Sequence, residues 1–202
     1  MDLYITGAGA TPGFLTTVAA VAAQSYVEIE HVNIHFGVGI SCWESYKATV
    51  REDLIHLEGF DAEKVAAMSD EEVEAELNKR NGLIELVGME HADDIILELA
   101  GVCPRDRVTV GGLVDTRNAQ KPVSTTVTVR GKTVSGAVGE HQFILSDETT
   151  MVDNVCGPAL GFLLRGITMH QKGLNGLITS ADIMPLTTTQ AAQNSQTPSM
   201  AV

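Results

Sequence analysis

The period of the apolar positions changes along the chain, and each change marks an element. A short run, Leu3 to Ile5, precedes Gly7-Ala8-Gly9-Ala10-Thr11-Pro12-Gly13, and Phe14 to Gln24 is almost wholly Ala, Val, Leu and Thr. That order predicts a buried strand, a tight glycine turn and a helix. Tyr26 to Phe36 then alternates, with Val27 and Ile29 in one phase and Val32, Ile34 and Phe36 in another. The slip at Glu30-His31 predicts a bulge or an edge position. Ser45 to Leu57 has amphipathic spacing, and Ser69-Asp70-Glu71-Glu72 is a capping box that opens a solvated helix over 71–80. Leu83, Leu86, Val87, Ile95, Ile96 and Leu99 recur at near-helical spacing, which predicts one helix with a buried face.

From Cys103 onward the pattern alternates. Strands are expected at 107–114, 124–130 and 139–146, with Arg130-Gly131-Lys132 as a hairpin signal. A helix follows from Met151 to about His170, with Gly157-Pro158 kinking or shortening its first turn. The fold class expected is α/β (α+β): a mixed, largely antiparallel sheet packed with helices over residues 1–185. Residues 186–202 carry no charge and are rich in Thr, Gln, Asn and Ser, which predicts a disordered tail.

Composition narrows the class of partner. The chain has 202 residues, is 44% hydrophobic but only 4% aromatic, and carries a net charge of −13. Such a balance argues against nucleic acid and against anionic membrane surfaces, and no apolar run is long enough to span a bilayer. A cytoplasmic location is expected. Cys42, Cys103 and Cys156 are too far apart for a disulfide framework or a metal motif, and they read as reduced core residues, with Cys156 beside Gly157-Pro158 the one faint nucleophile candidate. His31 and His35 share one face of a strand without a third ligand, so no metal site is expected.

A strand, a glycine turn and a helix suggest a dinucleotide fingerprint, but the spacing departs from it. Gly7, Gly9 and Gly13 are one residue too widely set, and the next strand ends in Phe36-Gly37 without the acid that would hold a ribose. Gly9-Ala10-Thr11-Pro12-Gly13 instead resembles the G-A-x-P-G segment of the saccharopine dehydrogenase-like oxidoreductases. Ser146-Asp147-Glu148-Thr149-Thr150-Met151, the helix after it and the segment to Asp182-Ile183-Met184-Pro185 resemble the same family more loosely.

The resemblance implies the substrate-binding and dimerisation half, over 1–185, of an NAD(P)-dependent oxidoreductase acting on the CH–NH bond of an amino-acid-derived secondary amine. The nucleotide-binding domain that precedes this segment in the family is missing here, so the chain alone is not expected to transfer hydride. NADP or NAD would be bound mainly by that missing domain, with Gly9, Thr11, Pro12 and Gly13 touching the cofactor. Trp43, Arg117 and Thr149 are the expected substrate contacts, and no catalytic residue is singled out. For Trp43, a pocket wall and a plug at the edge of the core stand side by side. For Arg117, the alternatives are a clamp on a substrate carboxylate and an ion pair with Asp115 on an exposed loop. A homodimer, a small amino-acid-like substrate and a separate nucleotide-binding chain are the partners expected. Two other readings stand beside this one: a self-contained dinucleotide binder with an atypical glycine turn, and a non-catalytic dimerisation module.

Overall fold

The structure, a computed structural model, describes residues 2–146 and 151–187. In chain order the elements are β1 (Leu3–Thr6), α1 (Phe14–Ala23), β2 (Glu28–Gly39), α2 (Tyr46–Leu54), α3 (Ala62–Ala67), α4 (Asp70–Lys79), β3 (Leu83–Leu86), α5 (Asp93–Leu99), β4 (Val108–Asp115), β5 (Thr125–Lys132), β6 (Val138–Leu145), α6 (Met151–Gln171) and β7 (Gly176–Thr179). Five strands form one sheet in the order β3-β4-β2-β5-β6, and β1 pairs with β7 in a separate two-stranded sheet. Only β2 with β4 is parallel in the larger sheet, Val32 opposite Val108 through Gly39 opposite Asp115. The mixed, largely antiparallel sheet packed with helices is the fold class the patterning predicts.

The long strand β2 holds the middle of the sheet because its apolar positions are buried. Val32 and Ile34 are inaccessible to solvent, and they meet Leu15, Ala19, Ala20 and Ala23 from α1 and Leu97 from α5. The alanines of α1 let the helix lie close to the strands. The pairing of β2 with β5 shifts register between Ile29 and His31, at the predicted slip. A second core joins Val38 and Ile40 to Val50, Leu54, Val65 and Leu77 from the helices α2 to α4 and to Ile84 and Leu86 of β3. Ser69 and Glu72 close the predicted capping box, with Ser69 N–H to the Glu72 carboxylate at 2.7 Å and Glu72 N–H to Ser69 Oγ at 3.2 Å.

Four expectations need correction. Leu83 to Leu99 is not one helix: Leu83–Leu86 pairs with β4, Gly88 turns the chain at positive φ, and the helix begins only at Asp93. The hairpin does not turn at Gly131, because Arg130 to Lys132 stay in the ladder and the turn lies at Thr133 to Ala137, closed by Thr133 N–H on Ala137 O. Of the three cysteines only Cys103 is buried, its thiol pushed up by that burial, while Cys42 and Cys156 are exposed. Leu186, the first residue of the expected tail, is buried and donates its N–H to Gly161 O, while residues 188–202 lie outside the described residues.

Candidate functional site

The turn between β1 and α1 folds on itself. Gly9 N–H donates to Pro12 O at 3.0 Å, Phe14 N–H to Gly9 O at 3.0 Å and Leu15 N–H to Ala10 O at 3.1 Å. Gly13 N–H is taken by the Thr16 hydroxyl at 3.0 Å, and Thr17 N–H by Gly13 O. The amides at the start of α1 are therefore used inside the turn, whereas a helix N-terminus that holds a phosphate presents them to the ligand. Gly9, Thr11, Pro12 and Gly13 shape this turn through their backbone, and Thr11 alone of the four lines the cleft beside it.

That cleft, a narrow one of about 20 Å3, lies where the C-terminal end of β2 meets the first turn of α1. Phe14, Leu15, Phe36 and Val38 give it apolar walls, and Thr11, Lys121, Thr125 and Asn154 bring polar atoms to it. Gly37 and Gly39 make the arrangement possible. A side chain at either would run into the backbone of residues 118–123, so the missing Cβ atoms let the connection between β4 and β5 lie directly on β2. Lys121 reaches the cleft by that route, and its Nζ donates to Leu145 O at 3.2 Å. Thr125 is buried, with its hydroxyl accepting Gly37 N–H at 3.2 Å. Asp115 ties the same connection down by accepting the N–H groups of Arg117 and Asn118 and the Asn118 side-chain amide.

On the other side of the turn lies a buried polar group of residues. Asp93 at the start of α5 has no solvent exposure, and its carboxylate accepts the hydroxyl proton of Thr16 on one oxygen and faces His91 Nδ1 at 2.6 Å on the other. Thr17 donates to Ser180 O at 2.6 Å, and Thr179 is held by Asp182 through both its N–H and its hydroxyl. Ser180 Oγ is buried beside Gly7, without a hydrogen-bond partner among the described residues.

Of the expected substrate contacts, Trp43 and Arg117 do not line this cleft. Trp43 is half-buried and packs against the second core. The Arg117 guanidinium binds Glu74 at 2.5 Å and Asn78 at 2.8 Å on α4, which raises the guanidinium's pKa and holds the Glu74 carboxyl below its ordinary range. Asp115, the alternative partner for Arg117, receives its backbone N–H. Thr149 lies outside the described residues. Among the described residues no cluster of His, Cys, Asp or Glu is arranged to hold a metal, and His31 Nε2 is hydrogen-bonded to the Thr109 hydroxyl at 2.9 Å. No helix is long and apolar enough to cross a membrane among those residues.

The structure is that of an α/β protein with a small cleft at the C-terminal end of its central strand. No family model matches the sequence. The chain is similar to the (S)-8-amino-7-oxononanoate synthase BioU of Haloferax mediterranei, 48% identical over 183 residues, which are 90% of this chain and 52% of that protein. The chain thus spans about half the length of the curated relative it matches. A solved structure of an engineered D-amino acid dehydrogenase aligns with a TM-score of 0.45 at 15% identity, over 91% of this chain and 61% of that one.

These findings overturn the functional expectations. The relative carries the name of a synthase, so the resemblance to saccharopine dehydrogenase-like proteins, the CH–NH oxidoreductase activity and the NADP or NAD cofactor are all set aside. The self-contained dinucleotide binder and the non-catalytic module find no support from the relative either. The structure adds physical reasons against the dinucleotide reading. The turn's amides are occupied internally, and among the described residues β1 pairs with β7 alone and not with β2, unlike the strand-helix-strand unit of the dinucleotide-binding kind.

Proposed function

We propose that this chain forms the ligand-binding part of an (S)-8-amino-7-oxononanoate synthase of the kind its relative is named for. The observation that carries the reading is 48% identity sustained over 90% of the chain. The compound in that name has a carboxylate at one end of a straight alkyl chain and a ketone with a neighbouring amine at the other. The cleft supports recognition of such a molecule from its composition. Lys121 offers a cation to the carboxylate, Phe14, Leu15, Phe36 and Val38 cover methylene groups, and Thr11 and Asn154 offer polar atoms to the amino ketone.

Nuclear magnetic resonance mapping tests this on the chain itself. Addition of 8-amino-7-oxononanoate is expected to shift the amides of Phe14, Gly37, Val38 and Gly39, and 7-oxononanoate, which lacks the amine, is expected to shift them less. Shifts confined to residues outside the cleft, or none at millimolar ligand, would remove the assignment.

A further inference from the structure

β1 and β7 form a parallel pair apart from the five-stranded sheet, Leu3 opposite Gly176 through Thr6 opposite Thr179. Parallel strands are ordinarily covered on both faces, and two strands by themselves are marginal in water. The hydrogen bonds show which edge is left open. Gly176 N–H donates to Asp2 O at 2.9 Å and Ser180 N–H to Thr6 O at 3.1 Å, so Asp2, Tyr4 and Thr6 turn their backbone groups toward β7 and Leu3 and Ile5 turn theirs outward. The outer edge of β7 is closed at Thr179, whose N–H goes to Asp182 Oδ2 at 2.8 Å. Among the described residues no strand pairs with the outer edge of β1. A groove of about 510 Å3 lies between β1 and α6, with Leu3 and Ile5 on one side and Ala159, Leu163, Ile167 and His170 on the other. No residue of β7 lines it, which places it on the side of the open edge. Gly166 brings α6 down onto β1, since a Cβ there would overlap Ile5 Cδ1. Leu163 and Ile167 are exposed, and so, on the other face of the pair, are Tyr4 and its partner Leu177, each at 62%.

We propose that the open edge of β1 and this groove take up one extended strand of a second polypeptide, the counterpart of the half of the Haloferax mediterranei protein that this chain does not span. Two observations choose that occupant. The chain matches 52% of that protein's length, so in the relative a further polypeptide of about the same size accompanies this part. The open backbone edge and the apolar groove lie side by side, which suits a strand better than a helix or a loop. A strand laid along β1 pairs its backbone with Leu3 and Ile5 and rests alternate apolar side chains on Leu163 and Ile167. The groove shares no lining residue with the cleft at the end of β2, so this docking site is independent of the ligand assigned to that cleft.

Co-expression of this chain with the unmatched half of the Haloferax mediterranei protein tests the proposal. Light scattering of the purified material is expected to show a one-to-one complex. In that complex the amides of Leu3 and Ile5 are expected to exchange with solvent about 10-fold or more slowly than in the chain alone, as newly paired strand amides do. Leu163→Glu and Ile167→Glu change side chains that are exposed in the chain alone, so each is expected to keep its melting temperature and to lose the complex. Ile144→Glu, at an exposed position on β6 away from the groove, is expected to keep both. Failure of the two polypeptides to associate would overturn the proposal, as would a complex that survives both groove substitutions or leaves exchange at Leu3 and Ile5 unchanged. Slow exchange of those two amides in the chain alone would also overturn it. As a monomer, that result would show the edge covered by the chain's own residues, and as a dimer, by a second copy.

Discussion

The Cα of Gly13 faces the backbone of Gly9 so closely that a single added carbon has no place: a Cβ there would overlap Gly9 O and its carbonyl carbon. The contact draws the turn tight enough for Phe14 and Leu15 to bond back to Gly9 and Ala10, and so sets the first turn of α1 at the wall of the cleft. Gly13→Ala is expected to destabilise the fold by about 1–3 kcal/mol, the range for forcing an extra carbon into a packed site. Chemical denaturation measures it, and an unchanged midpoint would show that the turn is loose.

Thr16 serves two buried partners at once, receiving Gly13 N–H and donating to Asp93. Thr16→Val keeps the shape and leaves an N–H and a carboxylate oxygen unpaired, at a cost of roughly 1–3 kcal/mol for each buried group. Thr16→Ser retains the hydroxyl and is expected to recover most of the loss. Equal stability of the valine and serine variants would show that packing of the methyl group, and not the hydroxyl, holds the helix start.

Asp53 on α2 gives the fold a pH dependence of known sign. Burial and the neighbouring Glu52 push its carboxyl up to about 7 from the ordinary 3.8. The folded chain therefore holds a proton there that the unfolded chain has already released between those two values, so this group's contribution weakens as pH rises from about 4 to about 7. Asp53→Asn removes the penalty and is expected to stabilise the chain at pH 8, by on the order of 1–2 kcal/mol given the partial exposure of the group, and to have little effect near pH 4. Thermal melts of both proteins across that range decide it. A variant that stabilises equally at both ends would show that Asp53 is not the titrating group.

Much of this architecture is legible from residue order because local chemistry determines it. The glycine turn before an alanine-rich helix, the Ser69 to Glu72 capping box and the phase slip at Glu30-His31 all depend on near neighbours. The stretch from Leu83 to Leu99 misleads because Leu83 and Leu86 fit a helical spacing as well as a strand, and only pairing with β4 decides between them. That misreading also hides the His91 and Asp93 pair. Residues two apart in a helix point away from each other, whereas in the turn before α5 they meet. Lys121 carries no local signal at all. It reaches the cleft because Gly37 and Gly39, more than eighty residues earlier, leave room for its connection to lie on β2. Arg117, the more suggestive cation in the sequence, is committed to Glu74 by the packing of α4 against that same connection.

Calorimetric titration of the chain with (S)-8-amino-7-oxononanoate, beside Lys121→Gln, tests the central claim most directly. The account predicts binding at one site by the unaltered chain. It predicts affinity lower by roughly 10- to 100-fold in the variant, corresponding to the loss of about 1.5–3 kcal/mol from a charged hydrogen bond to the carboxylate, with the melting temperature little changed. Equal affinity of the two proteins, or no heat of binding with either, would contradict it.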